Sequence, residues 1–419
     1  MITALMEEAT LAAELRRILD QDLVRSVYQP IVDLDSEEVV AYEALARGPE
    51  GSPLERPDLL FATARATGDV EALDWACRAA ALSGALDAGL RRTLFVNVEP
   101  SLLDSPVPPR LAPLLARAAS ELDVVLELTE RALTDRPAEM LARVEALRAR
   151  GLRVALDDVG ADRRSLALMP FVRPEVIKLD LRLVQENPSP AIAAIVHAVN
   201  AESERSGAVL LAEGIETEAQ REVARALGAR YGQGWLFGRP APLPATSVTP
   251  AAESFAPRLA APIAAASPYD TVAARLTPRR GSKELLLAIS KHLEAQVAAQ
   301  GEAAVVLATF QQARHFTPRS AARYQRLASH AALVGALGVG LGCEPAPGVR
   351  GAALDAEDPL KGEWNVVVIA PHFAAAFVAR DLGDSAHDDM ARRFDFCLTY
   401  DRELVVAAAR GLLARIAPH

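Results

Sequence analysis

Eight polar side chains set the possible chemistry of this chain: Glu43, Asn97, Glu127, Asp157, Asp158, Lys178, Glu213 and Gln233. Each stands at or just past the end of a short apolar run, where a buried strand gives way to a turn. The clearest case is Arg153-Val154-Ala155-Leu156-Asp157-Asp158-Val159-Gly160, in which an apolar run ends in two adjacent carboxylates and a glycine. Taken alone, that Asp-Asp pair reads as an Asx turn. Any one carboxylate of the set, taken alone, reads as a helix cap. The repetition points elsewhere. Carboxylates brought together repel and are costly to keep ionised unless cations sit among them. The donors are almost all oxygen, with no His or Cys in the set, which favours Mg2+ or Mn2+ over Zn2+. So many acidic groups could hold two ions, and a pair roughly 3.5–4 Å apart suits in-line attack on a phosphodiester.

The elements that must position these groups follow a rhythm. Two apolar stretches, 27–34 and 39–47, are joined so tightly that they are expected to be antiparallel. Helix and strand then alternate. Helical patterns fall near 57–67, 70–88, 109–119, 136–150, 190–205 and 216–227. Between them lie strand-like runs at 94–98, 124–130, 153–159, 176–180, 209–215 and 231–238. Such alternation implies a parallel sheet covered by helices. Eight strands in this span fit an α/β fold of the TIM (β/α)8 type, with one antiparallel strand from the opening hairpin. The carboxyl ends of the strands would then meet at one rim, bringing together residues 43 to 233. Leu11, Leu15, Ile18, Leu19 and Leu23 share a helical face behind a candidate Thr10 cap, an entry helix expected to cover a barrel end or a partner.

With 419 residues, two domains are expected. Residues 1–243 form the first. Residues 244–268, rich in Pro, Ala and Ser, read as a linker, and 269–419 as a smaller C-terminal α/β sandwich domain. The pattern there suggests helix 283–299, strand 303–309, helix 317–337, strand 364–370, helix 372–381, strand 394–400 and helix 402–416, hence a three-stranded sheet. A net charge of −10 argues against a nucleic-acid polymer as partner. Cys77, Cys343 and Cys397 are far apart and form no Cys-x-x-Cys, so buried thiols in a reducing compartment are expected. Glu7 and Glu8 stand where a signal peptide would carry basic residues, and no apolar run reaches membrane length. A cytoplasmic protein without membrane association is the expectation.

At these residues the chain resembles a known family. Glu43-Ala44-Leu45 is the tripeptide that names the EAL domain, the cyclic di-GMP phosphodiesterase module. The resemblance extends through Tyr28-Gln29-Pro30-Ile31-Val32, Phe95-Val96-Asn97, Glu127-Leu128-Thr129-Glu130, Asp157-Asp158, Ile177-Lys178-Leu179-Asp180, Ala212-Glu213-Gly214-Ile215-Glu216-Thr217 and Gly232-Gln233-Gly234. It covers about residues 10–243. It implies hydrolysis of one phosphodiester of cyclic di-GMP to linear pGpG by a homodimeric barrel using two divalent cations, Mg2+ or Mn2+. By the same resemblance Glu43, Asn97, Glu127 and Asp157 would hold one metal, and Asp158 the second, with Asp157 bridging. Lys178 would contact a water held at the metals and balance the charge. Glu213 would be the general base, or would orient the attacking water, completing a catalytic set with Glu43 and Lys178. Gln233 would line the pocket, and Arg47 would pair with a substrate phosphate. Glu130 would anchor the loop after Asp158, or be a plain surface carboxylate.

One stretch departs from the family pattern. Active members continue Phe-Gly-x-Gly-Tyr-Ser-Ser after the Asp pair, whereas this chain reads Val159-Gly160-Ala161-Asp162-Arg163-Arg164-Ser165. That loop is the feature favouring an alternative: a weak or inactive cyclic di-GMP receptor signalling through a partner. The intact ligand set favours the enzyme. The second domain resembles the DICT domain, a sensory module, through Phe316-Thr317-Pro318, Arg323-Tyr324, Asp358-Pro359-Leu360, Glu363-Trp364, Phe394-Asp395-Phe396 and Thr399-Tyr400-Asp401. Its ligand is unknown. Thr317 and Asp401 are expected as helix caps and Trp364 as core; His387-Asp388-Asp389 reads as a solvated turn.

Overall fold

A computed structural model describes residues 2–99, 102, 105–129, 136–244, 255, 267–383 and 388–417. Eight strands close into a barrel in chain order: β1 (Arg25–Asp33), β2 (Val39–Arg47), β3 (Thr93–Asn97), β4 (Val124–Thr129), β5 (Arg153–Val159), β6 (Val176–Leu179), β7 (Val209–Ala212) and β8 (Tyr231–Gln233). β2 to β8 run parallel. β1 is antiparallel to both its neighbours, with Gln29 opposite Glu43 on one side and Ile31 opposite Gln233 on the other. The hairpin forms because Asp33 Oδ1 accepts from the amides of Asp35 and Ser36, while Glu37 takes the left-handed conformation that closes the turn.

The barrel interior is a layer of Ile31, Ala41, Phe95, Val125, Ala155, Val176, Leu211 and Tyr231. Helices cover the outside, among them Val70–Asp87, Pro137–Ala149, Pro190–Ser206 and Glu218–Ala226. The last starts in a reciprocal cap, in which Thr217 Oγ1 accepts from the Gln220 amide and the Gln220 side chain returns to the Thr217 amide. The N-terminal helix spans Ile2–Asp20, so Thr10 lies inside it and is not its cap. Its Leu15 and Ile18 pack on Leu54, Leu60, Ala64 and Leu73, flanking the helices Pro57–Thr67 and Val70–Asp87.

Within the stretch read as a linker, Phe255 is 1% exposed. Its ring lies 5.2 Å from Phe95 and 5.0 Å from Tyr231, closing the interior layer, and its carbonyl accepts from Arg153 Nη1. Ser267 caps the helix Pro268–Ala273, which packs against the C-terminal sheet.

The second domain differs from its expected form. Its sheet has six strands rather than three, in the order β11-β10-β12-β13-β14-β9. The strands are β9 (Arg279–Ser282), β10 (Val305–Gln312), β11 (Leu333–Val339), β12 (Glu363–Ala370), β13 (Phe373–Asp381) and β14 (Arg393–Thr399). The Ala-rich segment expected as a helix at 372–381 is β13, paired antiparallel with β12 and β14. Alanine favours helices, but two partner strands and burial on both faces override that preference. The helix expected over 317–337 stops at Ala328, and its last part is β11, parallel to β10. Helix Lys283–Gln300 packs on one face, and helices Pro268–Ala273 and Arg402–Leu413 on the other, making the α/β sandwich. Thr317 and Asp401 are caps, and Trp364 packs edge-on against Phe377 and Phe394, as expected. His387 lies outside the described residues, while Asp388 caps its own turn and Asp389 pairs with Lys283 and Arg392.

The two domains share apolar core. Arg410, only 6% exposed, donates to the Phe171 carbonyl at 2.9 Å and to Glu145 at 2.5 Å across the seam. No helix among the described residues is long and apolar enough to cross a membrane.

Candidate active site

Period two explains the site. In a strand, residues two apart share a face. Ala41, Phe95, Val125, Ala155, Val176, Leu211 and Tyr231 point into the barrel. Two positions further toward the carboxyl end come Glu43, Asn97, Glu127, Asp157, Lys178, Glu213 and Gln233. They therefore stack as the next layer, at the rim. β1 runs the other way, so two residues before its interior Ile31 is Gln29, which enters the same layer.

Lys178 stands at the centre, with no exposed surface. Its Nζ lies 2.6 Å from Glu127 Oε1, 2.7 Å from Glu213 Oε1, 2.9 Å from Asp157 Oδ1 and 3.6 Å from Glu43 Oε2. Glu43 also accepts from Asn97 Nδ2 at 2.9 Å and from Gln233 Nε2 at 2.7 Å. Burial works against the Lys178 ammonium, but Asp157 and the three glutamates outweigh it and hold its pKa well above the usual lysine value. One ammonium does not balance four carboxylates. Burial, then the charge of Glu43, pushes Glu127 well above the ordinary carboxylate range. Burial pushes Glu213 up to about 8 against the pull of Lys178, with Asp157 adding to the rise. Burial also opposes ionisation of Glu43, but Lys178, Gln233 and Asn97 hold it below its usual value.

Asp158 breaks the two-residue rhythm and by strand geometry alone would face outward. It takes a left-handed conformation instead, with φ of 56°, rare outside glycine but tolerated by Asp. The chain turns there, and carboxylate oxygens of Asp157, Asp158 and Glu213 come within 4.8 Å of one another. Gly234, just past Gln233, has no alternative side chain: a Cβ would stand 2.0 Å from the Ile215 carbonyl oxygen.

The donor set fits a divalent cation. It is carboxylate and amide oxygen throughout, its negative charge exceeds what Lys178 supplies, and the buried Glu127 Oε2 has no hydrogen-bond partner among the described residues. Arg47 follows Glu43 by four positions, on the same face of β2. It is half-buried, and its Nη1 donates to the Ala46 carbonyl at 2.8 Å. Glu130 lies outside the described residues. The sequence reading gave no site role to Gln29, whose Oε1 accepts from Gln233 Nε2 at 3.2 Å and whose Nε2 donates to the Gly238 carbonyl. The available signal was a polar residue two before Ile31 in the one reversed strand. It missed Asp74. Only 4% exposed and paired with Arg78, Asp74 accepts from the Glu99 amide at 3.0 Å and fixes the turn after Asn97.

Comparison with known proteins agrees with this architecture. The family model of the EAL domain matches residues 12–240, and that of the sensory domain in diguanylate cyclases and two-component systems, DICT, matches 269–382. An uncharacterized signaling protein of Caulobacter vibrioides is 34% identical over 249 residues, 58% of this chain and 30% of that protein. The cyclic di-GMP phosphodiesterase RocR of Pseudomonas aeruginosa is 32% identical over 240 residues, 55% of this chain and 60% of its own length. The chain thus spans less than two thirds of the length of these relatives. The solved structure of the EAL enzyme Bd1971 in its cGMP-bound form superposes with a TM-score of 0.50 at 22% identity, covering 57% of this chain and 68% of that one, a likeness of fold.

Proposed function

The chain belongs to the EAL domain family, and from that premise we propose that it hydrolyses one phosphodiester of cyclic di-GMP to give linear pGpG at the barrel rim. The observation that carries this reading is the excess of inward carboxylates around Lys178, a site whose carboxylates can all stay ionised only when cations join it. Glu43, Asn97, Glu127, Asp157 and Asp158 would hold two divalent cations, Mg2+ or Mn2+, which supply Lewis-acid polarisation of the phosphoryl oxygens and an activated nucleophile. Lys178 offsets the carboxylate charge and orients Glu43, Glu127, Asp157 and Glu213 about one point. Glu213 is the general base. Its carboxylate needs a cationic neighbourhood to stay ionised at neutral pH, and it then accepts the proton of the attacking water. Gln233, steadied by Gln29, holds Glu43 in place. Arg47 is assigned to a substrate phosphate, Glu130 to anchoring the loop after Asp158, and the DICT-like domain to regulation. The working form is a cytoplasmic homodimer.

Purified protein incubated with cyclic di-GMP and Mg2+ or Mn2+ should yield pGpG, and EDTA should stop it. Absence of product with either ion would leave the receptor reading. One observation favours that second reading: residues 163–167, where the family loop diverges, form a tight turn that Asp162 caps through the Arg164 amide, with Leu166 and Ala167 buried. Glu213→Gln should abolish turnover while cyclic di-GMP still binds; unchanged turnover would remove Glu213 from its assigned role.

A further inference from the structure

A cavity of about 230 Å3 lies between the two domains. Leu166, Met169, Ala198 and Ala201 of the barrel form its apolar wall, and Pro371, His372 and Arg402 of the second domain face them. The charges here are unevenly matched. Glu202, 4% exposed, is committed to Arg205, which also reaches Glu403. Arg402 has no such partner. Half-buried, it donates through Nη1 to the Ala370 carbonyl at 2.7 Å, and no carboxylate lies within ion-pair distance of it among the described residues. Burial, then the neighbouring Arg205, pulls its pKa below the ordinary arginine value, although Glu202 and Glu403 offset part of this. A desolvated guanidinium is normally paired, because an uncompensated charge out of water is costly. The open volume beside it is where a counter-ion would go.

We propose that this cavity binds a small organic carboxylate, its two oxygens on the guanidinium of Arg402 and its apolar body against Leu166, Met169, Ala198 and Ala201. A guanidinium fork matches a carboxylate in plane and spacing, which selects it over a neutral amide of the same shape. The volume admits a body of ring size, smaller than a drug-sized ligand. Position gives the site a role. Leu166 belongs to the turn 163–167, the first helical turn after the strand that carries Asp157 and Asp158, so a ligand bridging Arg402 and Leu166 ties the second domain to the segment behind the rim. This proposal does not depend on the chain cleaving cyclic di-GMP.

The test is calorimetric titration of the full chain with benzoate and, separately, with benzamide. Benzoate should bind saturably, and benzamide about tenfold or more weakly. Arg402→Gln should weaken benzoate about tenfold. Ala201→Leu, which fills the cavity without touching the charge, should do the same. Circular dichroism establishes that each variant is folded, and should Arg402→Gln fail to fold, the benzoate–benzamide comparison and Ala201→Leu still decide. Benzoate should also slow amide exchange over residues 163–169. No benzoate heat up to about 10 mM, equal binding of benzoate and benzamide, or binding that Ala201→Leu leaves intact would each overturn the proposal.

Discussion

Replacing Lys178 by Met tests the electrostatic reading of the rim most directly. Met keeps the length and apolar stem of the lysine but removes the ammonium that contacts Glu127, Asp157 and Glu213 within 2.9 Å and Glu43 at 3.6 Å. The carboxylates are then buried without a counter-charge. Breaking a buried ion pair by removing one partner costs about 3–5 kcal/mol. Here the loss belongs near the lower end, because Glu127 and Glu213 already sit well above the usual carboxylate range and take up protons readily. At about 2–4 °C per kcal/mol for a domain of this size, the melting temperature in EDTA should fall by roughly 6–12 °C. A divalent cation supplies the missing charge. Binding at 100 times its Kd adds about 2.7 kcal/mol, and the variant, with a more negative site, should gain more than the wild type. Scanning calorimetry of both proteins in EDTA and in Mn2+ measures this difference. If Lys178→Met melts with the wild type in EDTA, or if Mn2+ leaves the gap unchanged, the carboxylates are not held together by charge balance and the cation-site reading fails.

Other consequences follow from the same structure. Phe255→Ala should destabilise the barrel by about 3–5 kcal/mol, although the residue lies in a Pro- and Ala-rich stretch; an unchanged urea midpoint would mean that the ring does not plug the interior layer. Arg410→Ala leaves Glu145 at the seam without its 2.5 Å partner and should cost about 3 kcal/mol, with faster amide exchange over residues 169–172; exchange identical to wild type would show that this arginine does not clasp the domains. Of the three thiols expected to be buried, only Cys397 is; Cys343 is exposed and Cys77 half-buried, with burial pushing the Cys77 thiol up to about 12. A thiol reagent at pH 8 should therefore modify Cys343 promptly and Cys77 only on unfolding. Because the folded value of Cys77 is raised above the usual 9, stability from keeping that thiol neutral is present below pH 9 and is lost as pH rises toward 12. Rapid labelling of two or more thiols in the native protein would contradict this.

The barrel and most of its rim could be read from the chain because strand periodicity is local. In a strand an apolar residue at position i and a polar one at i+2 share a face whatever surrounds them, so Phe95 with Asn97, Val125 with Glu127 and Val176 with Lys178 already implied a polar layer above an apolar one. Asp158 was legible only in part. Its carboxylate reaches the site through a left-handed backbone, which Asp permits but does not demand. Gln29 stands in one of the family motifs but takes no site role from the sequence, because its place in the layer depends on β1 running backwards, a property of pairing with β2 and β8 and not of residues 25–33 alone.

Tertiary structure alone decided the rest. Segment 373–381 reads as helix by composition and becomes β13 because β12 and β14 offer hydrogen bonds along both edges. Phe255 leaves an otherwise patternless stretch to fill the space beneath Phe95 and Tyr231, a vacancy created only when the barrel closes. That Lys178 serves four carboxylates from or just past four other strands, and that Arg402 meets no carboxylate at the seam among the described residues, are likewise results of packing. Period and residue type determine which face a side chain takes. Which distant charges it meets there depends on closure of the sheet and docking of the domains, and no short stretch of sequence contains either.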